Sequence, residues 1–393
     1  MNRIAAFNPE HDMALANGDS HFIAPRNIRE MARDLSPLMN VMNNEGILVW
    51  GWDHTIKTQL QRMGIDEVML PTDTALTALR SHSERRSAHH LLHKFRDAHP
   101  DGPYIGESTL AHSIDDIANY ATQHGHIILK DPLSSSGKGL RHVNINEDEN
   151  FQQEPLSLSS LSKVKNWANA LIRRHGYLTA EPYYDKEQDF AMEFCIRDQR
   201  CHFIGYSLFN TNHHGRYESN QLMSTEKIET LLTQYIHHSA LHEVHDWIIS
   251  HSDHFIPREW DTTKHPLYFG IDMMIVRESL QAENNSQSRA TNACELKKQG
   301  KKYLLHPCVE INLRLNMGII ANEVHRKLLA TGTEGTYHIT TFPSGEAAQL
   351  FHKEHIEQYP TVYKEGRIVS GYHPLTPILP HTRYHAYVIC KQG

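Results

Sequence analysis

The first stretch of the sequence that could do chemistry runs from Ile127 to Gly139, where an apolar strand ends at Lys130 and leads into a serine- and glycine-rich loop. Small residues let backbone N–H groups approach phosphate oxygens closely, and lysine adds compact positive charge. Lys130 could therefore bind the α- and β-phosphates of a nucleotide, with the loop closing over the β- and γ-phosphates. The residues of this candidate phosphate site are Lys130, Ser134, Ser135, Ser136, Gly137, Lys138 and Gly139. The P-loop pattern GxxxxGK[ST] is absent, and a simple hairpin turn explains such a loop equally well.

The second stretch pairs Asp272, within an apolar run, with Glu310 and Asn312 in a later apolar run that ends at Arg314. Side chains alternate along a strand, so Glu310, Asn312 and Arg314 share one face. If the two strands are neighbours, Asp272 lies beside Glu310. Two carboxylates and an amide oxygen suit Mg²⁺, or Mn²⁺ in its place. Arg314 could neutralise charge on a transferred phosphoryl group, whereas solvent-facing polar residues would fit poorly among apolar neighbours.

The elements that must position these residues begin with a segment that alternates strand and helix. Strands are predicted at residues 4–7, 46–50 and 68–71, and helices at 25–42 and 55–63. This pattern favours a small βαβ-type domain with a parallel sheet.

Polar residues follow the first two of these strands, at 8–12 and 51–54. Ligands of parallel sheets bind beyond the carboxyl ends of the strands. The first cluster could therefore contact a substrate, and an ordinary turn with a helix cap explains it equally well.

The rest of the chain shows further periodic segments separated by polar connectors. Helices are predicted at 84–98, 114–123 and 161–175, a strand at 126–130, a mobile connector at 152–162 and a long polar insertion at 279–301.

Composition narrows the class of protein. The five cysteines among 393 residues are scattered, which argues against a disulfide framework or a structural zinc site. The net charge of -7 comes without a basic stripe, so no nucleic-acid partner is expected. No apolar run is long enough to span a membrane or serve as a secretory signal, so we expect a cytoplasmic enzyme. The 31 histidines show no HExxH spacing and are expected mostly at the surface.

The order of these motifs resembles the ATP-grasp superfamily, which includes D-alanine–D-alanine ligase and glutathione synthetase. The resemblance covers roughly residues 84–330 and implies two α+β lobes that grip ATP, preceded by a small Rossmann-like α/β domain. It implies the division 1–83, 84–180, 181–332 and 333–393, the last being a C-terminal extension unlike the usual ending of the family.

The resemblance also implies nucleotide-binding residues. Glu181 and the backbone of Tyr183 would contact adenine, and Asp189, with Glu187 as the alternative, would bind the ribose. Asp272, Glu310 and Asn312 match the metal ligands. Catalytic roles would fall to Arg314, Lys138 and Arg216, the last in a polar loop that could clamp a carboxylate or phosphate or be a surface hairpin.

The function implied is an ADP-forming carboxylate–amine ligase that uses ATP and Mg²⁺. It would phosphorylate a small-molecule or peptide carboxylate, and an amine or other nucleophile would attack the acylphosphate. An ATP-grasp kinase and a non-catalytic nucleotide-binding module are the alternatives, and a homodimer stays open.

We predict that Asp272→Asn or Glu310→Gln abolishes nucleotide turnover without unfolding the protein, because each removes a negative ligand of the metal. ADP release and circular dichroism would check this. Full activity in a well-folded double variant would contradict the site assignment.

Overall fold

The computed structural model describes residues 4–42, 46–134, 139–145, 159–211, 217–278 and 302–391. The predicted residues Ser135, Ser136, Gly137, Lys138 and Arg216 lie outside this part of the chain, as does the insertion at 279–301.

The N-terminal segment contains a parallel two-stranded sheet and surrounding helices. Its elements are β1 (Ile4–Ala6), α1 (His11–Asn17), α2 (Arg26–Leu35), β2 (Ile47–Val49), α3 (His54–Arg62), α4 (Asp73–His82) and α5 (Arg85–Ala98). The third strand predicted at 68–71 is wrong: residues Glu67–Met69 form a 3₁₀ turn. The Asp66 side chain accepts a hydrogen bond from the Val68 backbone and so stabilises the turn, and Val68 itself is exposed.

A four-stranded antiparallel sheet follows, in the order β3–β6–β4–β5. Its elements are β3 (Thr109–Ala111), α6 (Ile114–His124), β4 (His126–Lys130), β5 (Leu140–Asn144), α7 (Ser159–His175) and β6 (Leu178–Pro182). Ser113 and Asp116 form a capping box that begins α6 where the sequence predicts a helix. The two helices and the sheet enclose an apolar core that includes Ile117, Ile127 and Leu161.

A nine-stranded sheet forms the rest of the molecule, in the order β11–β10–β7–β8–β9–β12–β15–β14–β13. Its strands are β7 (Lys186–Arg197), β8 (Arg200–Thr211), β9 (Tyr217–Leu222), β10 (Leu267–Arg277), β11 (Tyr303–Asn312), β12 (Gly335–Thr341), β13 (Val362–Lys364), β14 (Arg367–Pro374) and β15 (Tyr384–Cys390). Its helices are α8 (Thr225–Leu232), α9 (His238–Ser250), α10 (Met317–Leu328) and α11 (Gly345–Gln358). The strands of residues 335–390 continue the sheet to which β7–β11 belong.

The two faces of this sheet bury different groups. Phe190, Met192 and Phe194 of β7 lie in a core shared with α8 and α9. Asp189 and Glu193 alternate with them and so face the opposite side. The mixed α/β and α+β class predicted from the sequence is confirmed. Among the described residues, no helix is both long and apolar enough to cross a membrane.

Candidate active site

The acidic residues of β10 and β11 are direct cross-strand neighbours. The antiparallel register sets Asp272 opposite Glu310 and Gly270 opposite Asn312. The side-chain amide of Asn312 donates to Oδ2 of Asp272 at 3.3 Å. The three side chains that the sequence predicts as metal ligands therefore lie together on one face of the large sheet.

The electrostatics of this face favour a bound cation. Burial, together with the nearby carboxylates of Glu310 and Asp189, raises the pKa of Asp272 to about 7, while Arg314 opposes the increase. Like charges held together in a poorly solvated site disfavour ionisation of one another. A divalent ion would remove that conflict, and the donor set of two carboxylates and an amide suits a hard cation such as Mg²⁺. The residues present therefore fit the ion that the sequence predicts.

Lys130 lies at the end of β4, where the small sheet meets the large one. Its ammonium is buried, pairs with the Glu181 carboxylate at 2.5 Å and lies 3.5 Å from the carbonyl oxygen of Val309 on β11. The lysine thus reaches the strand that carries Glu310. Glu181, which the family resemblance assigns to adenine, is the ion-pair partner of this lysine.

The two ends of the predicted phosphate loop are close together. The backbone N–H of Asp131 donates to the carbonyl of Gly139 at 2.9 Å. A Cβ on Gly139 would lie 2.0 Å from Oγ of Ser134, so only glycine fits this closure. Arg85 donates to the carbonyl of Ser134 at 3.2 Å, which ties the loop to α5.

Tyr183 and Asp189 lie on either side of the connection between the two sheets. The Tyr183 ring stacks on His126 with centroids 4.3 Å apart, and its backbone N–H donates to the His126 carbonyl. Asp189 forms an ion pair with Lys186, and burial raises the pKa of its carboxyl.

Glu187, the alternative ribose ligand, is held by another residue. Its carboxylate accepts from Nε of Arg277 at 2.7 Å. Both candidates for the ribose ligand therefore form ion pairs with basic side chains, Asp189 with Lys186 and Glu187 with Arg277.

Arg314 is held by a residue that the sequence analysis did not assign. Its guanidinium donates through Nε and Nη2 to the two oxygens of Asp12, at 3.0 and 2.8 Å. Asp12 belongs to α1, so the N-terminal segment orients a side chain of the large sheet. The signal was present as the polar cluster after β1, although nothing in it indicated which residue would reach the site.

Other polar residues that follow β1 and β2 have structural roles. The Asp53 side chain caps α3 by accepting from the Ile56 backbone at 2.8 Å. His11 and Asn8 hydrogen-bond to the other Asp53 oxygen at 2.9 and 3.3 Å. The turn-and-cap explanation therefore applies to Asn8, His11 and Asp53.

Arg85 is a second residue that sequence reasoning missed. It is buried and pairs with the Glu310 carboxylate at 3.2 Å. Glu310 therefore meets a cation on one side and the Asp272 carboxylate on the other.

Glu193 is a third residue that sequence reasoning missed, and it lies beneath the start of α10. Burial raises its pKa to about 8, with Asp272 adding to the effect and a hydrogen bond from Asn316 opposing it. A Cβ on Gly318 would lie 2.1 Å from one Glu193 oxygen, and a Cβ on Gly270 would lie 2.4 Å from the other. Two glycines thus make room for this carboxyl beside the acidic cluster.

An open cleft of about 450 Å³ lies beside these groups. It is lined by α1, the start of α5, the loop after β4 and the end of β11. Its charged lining residues are Asp12, Glu84, Arg85, Glu310 and Arg314. The cleft therefore borders Glu310 and Asn312, two of the candidate metal ligands.

Comparison with known proteins gives loose structural likenesses. No protein-family model matches the sequence, and no curated protein matches it. N5-carboxyaminoimidazole synthetase from Staphylococcus aureus, solved with ADP, is 11% identical with a TM-score of 0.48 over 100% of this chain and 93% of that one. Biotin carboxylase from Campylobacter jejuni, solved as a β,γ-ATP complex, is 10% identical with a TM-score of 0.48 over 99% of this chain and 82% of that one. Likenesses this distant assign neither a fold nor an activity, so the functional argument rests on the geometry above.

We predict that Glu193→Gln makes the stability of the metal-free protein less dependent on pH. The pKa of Glu193 is raised from 4.5 to about 8, so the native state keeps a proton that the unfolded state releases within that window. Stability therefore falls as pH rises from about 4.5 to about 8, and glutamine, which stays neutral, removes this loss. Thermal unfolding between about pH 5 and pH 8.5 measures the effect.

The matched control is Asp253→Asn, because the Asp253 side chain is 82% exposed. It should reproduce the wild-type pH dependence. An identical pH profile for wild type and Glu193→Gln would contradict the raised pKa.

Proposed function

We propose that this chain is an ATP-grasp enzyme that uses Mg²⁺ and ATP to activate a carboxylate as an acylphosphate, which an amine or other nucleophile then attacks. The observation that carries the proposal is that Lys130 lies beside β11, the strand that carries Glu310. The ammonium of Lys130, from the small sheet, reaches the carbonyl oxygen of Val309. Val309 directly precedes Glu310, and Glu310 lies opposite Asp272 on the neighbouring strand. A triphosphate needs this combination, since a lysine can bind its oxygens while a cation on the carboxylates offsets its charge.

The nucleotide in this proposal lies between the two sheets. Glu181 and the Tyr183 backbone are the proposed adenine contacts, and Asp189 is the proposed ribose ligand. Ser134–Gly139, with Lys138, is the proposed lid over the phosphates. The proposed lobes are 84–180 and 181–332, with 1–83 before them and 333–393 after them.

Asp272, Glu310 and Asn312 are the proposed ligands of Mg²⁺. The ion, when bound, would neutralise phosphate charge and polarise the transferred group. Because Asp272 has a raised pKa through burial and neighbouring carboxylates, its full ionisation depends on a positive partner.

Arg314 is the residue proposed to bind the transferred phosphoryl group. Its guanidinium lies close enough to Asp272 and Glu310 to interact with their charges, and Asp12 holds it in place, which supports this role. A guanidinium already oriented by a carboxylate meets developing negative charge without having to reorganise. Arg216 stays a proposed clamp for the substrate.

The acceptor carboxylate is proposed to lie in the cleft between α1 and the loop after β4. Arg85 and Arg314 line this cleft and supply positive charge for an anionic substrate. The carboxylate oxygen would attack the terminal phosphorus in line, and little covalent chemistry would fall to the protein. The proposed lid would exclude water, which otherwise hydrolyses an acylphosphate.

We expect incubation with ATP, Mg²⁺ and a metabolite pool to yield ADP, and hydroxylamine to trap the acylphosphate as a hydroxamate. Mass spectrometry would identify the acid from the hydroxamate. Labelling its carboxylate with ¹⁸O should then deliver one labelled oxygen to inorganic phosphate. A stable phosphorylated product without hydroxamate would indicate a kinase and contradict the ligase proposal.

We also predict that Asp12→Asn lowers kcat by about 10- to 100-fold, a range typical of removing a group that orients the residues of a metal site. The Arg314 guanidinium would lose its charged partner while the apolar core stays unchanged. Asp19→Asn, in the following loop, is the control because its side chain is 64% exposed. Equal kcat values for Asp12→Asn and wild type, with equal thermal stability, would contradict the positioning role.

A further inference from the structure

A cluster of metal-ligating side chains lies on α8 and α9, outside the candidate active site. Glu229 belongs to α8, and His238 and His242 belong to α9. Nε2 of His238 lies 2.7 Å from Oε1 of Glu229, and Nε2 of His242 lies 2.9 Å from the same oxygen. One potential ligand atom from each residue lies within 4.8 Å of the other two.

The local structure explains why these three groups converge. Residues four apart on a helix lie on the same face, and the rings of His238 and His242 stack with centroids 4.0 Å apart. His237 begins α9 by accepting a hydrogen bond from the Ser239 backbone, which fixes the position of the first turn. Ile228 of α8 and Leu241 of α9 belong to one buried core, so the two helices are held side by side.

The cluster lies on the other side of the large sheet from the candidate active site. The core that contains Ile228 and Leu241 also contains Phe190 and Phe194 of β7. Asp189 and Glu193 each come directly before one of these phenylalanines in the strand, and both face the side of Asp272. Binding at the cluster is therefore separate from binding at the acidic face.

We propose that Glu229, His238 and His242 form a site for a divalent transition-metal ion of the zinc class. Two imidazole nitrogens and one carboxylate oxygen are a ligand set that Zn²⁺ binds well, and water can complete the coordination of a three-ligand site. Mg²⁺ prefers an all-oxygen site, so the ion proposed for Asp272 and Glu310 would not compete for this one. The histidine side chains are 62% and 47% exposed, which leaves the site open to solvent.

Two hydrogen-bond contacts bring the three potential ligand atoms together without an ion. Both Nε2 atoms lie at hydrogen-bond distance from the same carboxylate oxygen, at 2.7 and 2.9 Å. Small side-chain rotations would allow an ion to take the place of the two N–H protons. An ion bound there would link α8 to α9 and stabilise the cover of the apolar sheet face.

The test uses the full-length protein, freed of metal by a chelator and then saturated with Mg²⁺ and ADP to occupy the candidate active site. Zn²⁺ titration by calorimetry should show one tight equivalent. Co²⁺ at the same site should give the visible absorption of a four-coordinate ion. Both signals should be lost in His238→Gln/His242→Gln and strongly reduced in Glu229→Gln.

The matched control is His251→Gln/His254→Gln, which removes two neighbouring histidines without touching the cluster. This control should keep the tight equivalent and the Co²⁺ spectrum. Thermal unfolding adds a second readout, since Zn²⁺ should raise the unfolding midpoint of the wild type and the control but not of His238→Gln/His242→Gln. The proposal is overturned if wild type binds no more Zn²⁺ than that double variant, or if the control loses the equivalent as well.

Discussion

The structure depends on gathering several carboxylates on one buried face of the large sheet. Asp189, Glu193 and Asp272 all have raised pKa values, and burial is the largest cause for each. A folded chain keeps such a set in two ways, because nearby cations can compensate the negative charge and a poorly solvated carboxyl can stay protonated. The positive groups near this face therefore help to compensate its negative charge.

Those positive groups come from three separate parts of the chain. Arg85 begins α5 and meets Glu310, Lys130 ends β4 and meets Glu181, and Arg314 follows β11 and meets Asp12. Each pair joins two elements distant in sequence. Two of these pairs, Arg85 with Glu310 and Arg314 with Asp12, hold the N-terminal segment against the large sheet, whereas the third joins two strands of the small sheet.

Close backbone approaches complete the arrangement. Gly270 and Gly318 leave room for the Glu193 carboxyl, while Gly139 lets the base of the predicted phosphate loop close on Ser134. Larger residues at these positions would displace a charged side chain or open the loop. These three glycines are therefore required because a side chain would clash, and not because the backbone needs a glycine to turn.

The residue types and local patterns were readable from the sequence by itself. Polar residues in apolar strands identified Asp272, Glu310 and Asn312, and the strand ending in Lys130 was recognisable from its apolar run. The helix predicted at 114–123 agrees with α6, whose capping box involves residues only three positions apart.

Only the tertiary structure decided which of these groups meet. Asp12 and Arg314 are 302 positions apart, and no periodicity relates them. Glu181 binds Lys130 because β4 and β6 are neighbours, and strands 335–390 extend the sheet of β7–β11 rather than standing apart from it. The false strand at 68–71 has the same origin: a short apolar run does not specify a strand, because a strand also needs a partner strand to pair with. Local sequence determines the residue types and the helix or strand tendency of each segment, and long-range packing decides which charged side chains pair.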